Sequence, residues 1–386
     1  MVRPTRLAGP LRALRRAGPL VAGLAATLAT LAADDRISDL YVYSVVDGLV
    51  SGGAVPYRDF DFEYPPLALG PLLLGGGSEA AWTAIAAVAL AAMQLAAPSR
   101  RAAWLLVLVP LLAGALVRTK FDLVPAAFAV GGLTLLLRAR PAWAGAVLGL
   151  GTLVKLWPAL LVGVAVVWLR DRRALVHAGA AAATVLAGCL PFLVLGGFPG
   201  ALLHFHLDRP VQLESSPASV LFALGDSYVT GAPVRPDPFK SNGLDGGPAG
   251  AVRTAFVVLE VLALAGIAAL VARRRDGDAL LLGALGAVLA FVGLGAVLSP
   301  QYLLWLLPLA ALVAARGHVV PAALVAGAAV LTRLWFPGRY FDLVFERGAV
   351  AELVAVRNLL LLGALAATAR ALARSPSRAA ARRPPG

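Results

Sequence analysis

Long apolar runs alternate with short charged clusters along almost the whole chain. The runs cover 20–33, 79–97, 102–117, 122–137, 142–154, 157–169, 174–195, 251–271, 279–297, 303–315, 319–335 and 350–371. A helix that spans a bilayer takes about 20 apolar residues. Several runs are shorter, so some spans are expected to tilt, break or re-enter. Residues 63–75 form a further apolar stretch that lies flat or dips in. Unbroken runs of this length exclude a β-barrel, whose strands alternate polar and apolar positions. The pattern predicts an all-α polytopic bundle of about 10–12 transmembrane helices.

Composition agrees. Of 386 residues 60% are hydrophobic and 14% charged, against about 45–50% and 25% in a soluble domain. That excludes a soluble enzyme and a disordered chain. The net charge of +13 would suggest nucleic acid in a soluble protein. Here the basic residues stand between apolar runs, which is the positive-inside pattern, and no nucleic-acid partner is expected. Arg3, Arg6, Arg12, Arg15 and Arg16 precede the first run. Arg100/Arg101, Arg138/Arg140, Arg170/Arg172/Arg173, Arg273/Arg274/Arg275 and Arg316 mark every second junction. Residues 1–19 and 372–386 are thus read as cytoplasmic basic segments flanking a membrane domain over 20–371. The start also resembles a leader peptide ending near Ala32-Ala33, but a polytopic chain commonly keeps its first helix as an anchor. Of the 21 acids only Asp171, Asp276 and Asp278 fall on the cytoplasmic side. Cys189 is the only cysteine, which excludes an intrachain disulfide and a cysteine-based metal site.

Three outer loops are expected, at 34–78, 196–250 and 336–349. Loops this long are usually functional. The Pro/Gly/Asp-rich middle of the second, Gly231 to Gly250, reads as a flexible lid. In the first loop Asp34, Asp35, Asp39, Asp47, Asp59, Asp61 and Glu63 crowd beside the membrane, where carboxylates need water or cations. Asp34, Asp47 and Asp61 are read as hydrated loop residues. Asp39 stands among Ile37, Leu40, Tyr41, Val42 and Tyr43, a setting that suits a general base. Asp39, Tyr43 and Asp47 recur at i, i+4, i+8, the face of a short helix. Tyr57, Phe60, Phe62 and Tyr64 suit either an interfacial belt or a sugar-binding face, with Arg58, Asp59 and Glu63 between them. Pro65-Pro66 predicts an extended exit from the loop.

The cations are selective. Arg118 and Lys120, followed by Asp122, join two apolar runs, and Lys155 interrupts another. Such residues are candidates for function and suit a lipid-borne phosphate; the alternative is snorkelling to the headgroups, which does not require Lys155 to interrupt a span. In the second loop His206 and Arg209 lie three apart, on one helix face. His204 and His206 point to opposite faces, which argues against a zinc pair. Gln301 and Tyr302, after Ser299-Pro300, could meet a sugar or simply form a Pro-capped turn.

The stretches SDLYVYS, PYRDFDFEYPPLA, RTKFDLVPA, LGLGTLVKLWPALL, HLDRPVQLESS and SPQYLLWLLP resemble glycosyltransferase family 87. That family comprises polyprenol-phosphate-mannose-dependent mannosyltransferases with the GT-C membrane fold and a catalytic first outer loop. The resemblance implies inverting transfer of mannose from a polyprenyl-phosphate donor to a glycolipid or lipoglycan acceptor at the outer face. It puts the catalytic acid at Asp39. The cations Arg118, Lys120, Lys155 and Arg209 are then expected at the donor phosphate. Asp35, Tyr43, Tyr57, Arg58, Asp59, Glu63, Tyr64, Asp122, His206, Gln301 and Tyr302 are expected at the substrates. With cations on the phosphate, no metal or other cofactor is expected, although an Asp35–Asp39 pair would suit a divalent ion. The alternatives are a polytopic secondary transporter and a ligase or polymerase of pyrophosphate-linked glycans.

Overall fold

A computed structural model describes residues 8–200, 202, 209–225, 229–230, 242–244, 247–346 and 348–374. His206 and residues 231–241 and 245–246 of the expected lid lie outside the described residues. The chain begins with α1 (Ala8–Ala29), α2 (Leu40–Ser51), α3 (Leu69–Gly75) and α4 (Glu79–Ala96). Next come α5 (Arg100–Leu105), α6 (Leu108–Ala113), α7 (Leu116–Thr119), α8 (Leu123–Leu137), α9 (Pro141–Val154), α10 (Pro158–Leu169) and α11 (Arg172–Leu195). The second loop holds strands β1 (Val211–Gln212), β2 (Val229–Thr230) and β3 (Gly243–Leu244) around α12 (Ser216–Ala223). The strands form an antiparallel sheet in the order β1-β3-β2. The remainder is α13 (Ala249–Ala272), α14 (Gly277–Leu294), α15 (Leu303–Ala315), α16 (Val319–Trp335), α17 (Tyr340–Phe345) and α18 (Gly348–Ala373).

Local chemistry sets these boundaries. Ser78, Ser99, Asp171, Ser215 and Asp276 each cap a helix by accepting a hydrogen bond from a first-turn backbone N–H. Pro141 and Pro158 open α9 and α10, where a missing N–H costs nothing. The apolar run 102–117 is not one span but three short helices. Its second piece stops at Gly114, whose φ of 60° favours glycine. The paired prolines do give an extended exit, with Pro65 at φ −64°, ψ 163°.

Among the described residues five helices, α4, α11, α13, α14 and α18, are long and apolar enough to cross a membrane by length and composition. The shorter apolar helices pack among them. Helix α14 is central, buried from Ala279 to Leu294 except at Phe291. Helices α11 and α13 expose Leu175, Leu186, Leu190, Val257, Val261 and Leu262. In water such a surface would aggregate; around a multi-pass membrane protein it meets lipid. With no hydrophobic drive between helices in lipid, close backbone approach does the joining. A Cβ on Gly145 would lie 2.1 Å from the His177 carbonyl oxygen, and one on Gly149 2.9 Å from that of Ala181, which locks α9 onto α11.

Candidate active site

Parts of all three loops and three helix breaks meet around a cavity of about 430 Å³, a size that suits a small ligand. The breaks share one device. Helix α7 ends at Thr119 and Lys120 is extended (φ −135°, ψ 144°). Helix α9 ends at Val154 and Lys155 is extended (φ −157°, ψ 142°). Beyond α14, Pro300 disfavours helical backbone at Ser299, which sits at φ −81°, ψ 149° before the turn into α15. Each break turns polar side chains out of the helix ladder and into the cavity.

Asp39 lines the cavity from the N-terminus of α2. Its N–H donates to the Thr119 carbonyl at 3.3 Å, which brings it beside Lys120. The Lys120 ammonium donates to the Asp39 carboxylate. Its neighbours are therefore not only the apolar residues adjacent in sequence. The Tyr43 hydroxyl donates to the other carboxylate oxygen at 3.4 Å, from a buried position packed on Trp82 and Phe121. Tyr43 thus backs Asp39 and does not line the cavity.

Lys155 pairs with Asp122 at 2.6 Å. Asp122 also accepts from the Trp305 indole at 2.6 Å, and its second oxygen has no hydrogen-bond partner. Four rings surround the ammonium, with centroids at 4.7 Å (Phe121), 5.4 Å (Trp305), 5.7 Å (Tyr64) and 6.0 Å (Tyr302). Tyr302 stacks on Trp305 at 3.8 Å. The rings present negative faces to a cation that has left most of its water.

Glu63, Tyr64, Arg209, Gln301 and Tyr302 also line the cavity. Arg118, Asp35, Tyr57, Arg58 and Asp59 do not, and Asp122 meets it only through its pair with Lys155. Arg118 is buried and donates to Asp35, Glu79 and the carbonyls of Thr30 and Ala33. Asp35 borders instead a neighbouring cavity of about 260 Å³, which shares Ile37 and Phe336 as walls. Tyr57 donates to the Tyr64 carbonyl at 2.5 Å and packs edge-on against Phe62, Phe192 and Phe198, so it staples the loop. Arg58 and Asp59 pair at 2.8 Å on the surface, and the guanidinium holds the Asp59 carboxyl down at about 2. Asp34 pairs with Arg36, and Asp61 is exposed, as hydrated loop residues should be.

Sequence reasoning missed Gln212, Glu214, Asn242, Ser299 and Tyr340, which complete the lining. Gln212 and Ser299 hold each other at 2.8 Å and tie β1 to the break before α15. Burial pushes the Glu214 carboxyl up to about 7, against the lowering pull of Arg357, Arg209 and Lys120. A signal for this corner existed: Arg357-Asn358 interrupts an apolar run, and intramembrane polar residues are rarely idle. Among the described residues no group of three or more His, Cys, Asp or Glu is placed to hold a metal ion.

The chain resembles glycosyltransferase family 87, whose model matches residues 62–226. The family-87 stretch carries Glu63, Tyr64, Lys120, Lys155, Arg209 and Glu214, whereas Asp39, Gln301 and Tyr302 fall outside it. No curated protein matches the chain. A solved structure, ArnT from Cupriavidus metallidurans bound to undecaprenyl phosphate, shares the fold. It is 17% identical, with a TM-score of 0.50, covering 95% of this chain and 78% of ArnT. The fold is the GT-C type, an all-α multi-pass membrane bundle. Family match and fold together support a membrane glycosyltransferase.

Proposed function

We propose that the protein transfers a sugar, mannose, from a polyprenyl-phosphate donor to a glycolipid or lipoglycan acceptor at the outer face of the cytoplasmic membrane, with inversion. The observation that carries the reading is one cavity lined by the carboxylate of Asp39 and by the cations Lys155 and Arg209. The undecaprenyl phosphate held by ArnT supports the donor class. Family 87 supports the sugar, and the positive-inside distribution supports cytoplasmic termini and an outer active site.

In the displacement an acceptor hydroxyl oxygen attacks the anomeric carbon. Its proton passes to Asp39, and the bond from that carbon to the phosphate oxygen breaks with its electron pair. Lys120 and Tyr43 hold Asp39 in position. The phosphate gains charge as it leaves, and Lys155 and Arg209 offset that charge in a site with little water. Tyr64 and Tyr302 offer ring faces to the sugar, and Glu63 and Gln301 offer hydrogen bonds.

The test is transfer by purified protein in detergent, from radiolabelled polyprenyl-phosphate-mannose to a total lipid extract. Wild type should make labelled glycolipid, and Asp39→Ala should lose about 10²–10⁴ in rate. Absence of transfer by wild type sinks the donor assignment. Transfer that survives in the variant moves the base to another acid.

A further inference from the structure

One corner of the cavity holds two buried acceptors that no protein group satisfies. Glu214 is 2% exposed and Asn242 3% exposed, and both line the cavity. Glu214 Oε2 and Asn242 Oδ1 have no hydrogen-bond partner. A buried polar atom left so is costly, and such exceptions call for an explanation.

The corner is built, not slack. The Leu213 N–H donates to the Asn242 carbonyl at 3.2 Å, next to the β1–β3 ladder, and the Glu214 charge acts on Tyr340, the partner of Asn242, so Glu214 and Asn242 share this corner. The Asn242 amide nitrogen donates to the Tyr340 hydroxyl at 3.0 Å, which leaves its oxygen over. The Glu214 carbonyl is clamped from α18 by Arg357 Nη2 at 2.9 Å and Asn358 Nδ2 at 3.2 Å. Arg357 is fully buried, an expensive residue to place inside a bundle for main-chain support alone.

Unmet acceptors require a ligand that donates. The ionised phosphate offers only acceptors and would face a carboxylate. A ligand ammonium would join Arg357, Arg209 and Lys120, which already act on Glu214. Neutral hydroxyls remain, and adjoining acceptors suit hydroxyls on neighbouring carbons. We propose that Glu214 and Asn242 bind a vicinal pair of hydroxyls on the sugar carried by the donor. This rests on the donor reading above. It adds a specificity site beside the cations that hold the phosphate, of which Arg209 is near enough to act on Glu214.

The experiment is equilibrium binding to the full chain in detergent. The probes are polyprenyl phosphate alone, polyprenyl-phosphate-mannose, and donors lacking one sugar hydroxyl at a time. Wild type should lose about ten- to a hundredfold in affinity when either of two neighbouring hydroxyls is removed, and little for the others. Glu214→Gln should lose as much with the intact donor, lose no more when the hydroxyl that meets Glu214 is removed, still lose when its neighbour on Asn242 is removed, and bind polyprenyl phosphate unchanged. Equal binding of every deoxy donor by wild type overturns the proposal, as does sensitivity confined to non-adjacent hydroxyls. Should Glu214→Gln misfold, it would lose polyprenyl phosphate as well, and the wild-type series alone then decides. Failure of wild type to bind polyprenyl phosphate at all brings down the donor reading instead.

Discussion

Arg118 and Lys155 look alike in the sequence, each a cation set against apolar runs, yet the structure treats them oppositely. The guanidinium of Arg118 meets two carboxylates and two carbonyls, and it ties the end of α1 and the start of α4 to α7. Lys155 has one carboxylate and four aromatic rings, and it borders the cavity. A cation serves a ligand only as far as the protein leaves its donors unmatched. Arg, with five donors in a fixed fork, is readily saturated by the fold. Lys, with three donors on a flexible stem, can keep one side open while rings replace its lost water.

The sharpest way to break the comparison is Lys155→Met. It should cut transfer by about 10²–10³, as losing a charge-stabilising group does, and it should also lower the melting temperature in detergent, because it leaves the buried Asp122 carboxylate without its cation. Unchanged transfer per folded molecule would end the distinction. Arg118→Gln should cost stability and spare transfer. It leaves Asp35 and Glu79 without their cation, but both are about half exposed. The cost should be about 2 kcal/mol in stability, with the donor KM unchanged in whatever protein remains folded.

Glu214 sharpens the contrast from the acid side, since it is a buried carboxyl with one oxygen that no protein donor meets. Below its ordinary value of 4.5 the carboxyl is protonated whether folded or not, and pH has no effect through it. Between 4.5 and about 7 the unfolded chain ionises it and the folded protein does not. Stability should therefore fall as pH rises through that window, by at most about 1.4 kcal/mol per unit. The groups facing it are Arg357 on α18, Arg209 and Lys120, with Tyr340 on α17 also near. The cations oppose the rise. A melting series from pH 4 to 8 should show the slope in wild type and its loss in Glu214→Gln. The smallest effect belongs to Trp305→Phe. It removes one hydrogen bond to Asp122 but keeps a ring near Lys155, so activity should drop about three- to tenfold.

Much of this was legible beforehand. The spans from 122 to 195 and from 249 to 373 match the apolar runs closely, because in a bilayer every long apolar run has to become a helix. Lys155 was legible because a charge interrupting a span has no bland explanation. The role of Arg118 was not. It sits two residues from Lys120, and spacing cannot tell which of the two meets Glu79 and which meets Asp39. Nor could it assign Tyr57, whose ring is taken up by Phe192 and Phe198 from more than a hundred residues away. Glu214 and Asn242 stand 28 residues apart in the second loop and Tyr340 in the third, and the small sheet and α17 bring them together.

The glycine contact between α9 and α11 bears on how Lys155 works. Gly145 and Gly149 lie on the helix whose last residue precedes that lysine. Backbone against backbone leaves no room for α9 to rock towards α11. The stem of the cation is thus braced before any substrate arrives. In the proposed transfer, charge developing on the departing phosphate would meet a cation already in place, without the rearrangement that water would need. On this view two glycines distant from the cavity set part of the reorganisation energy of the reaction.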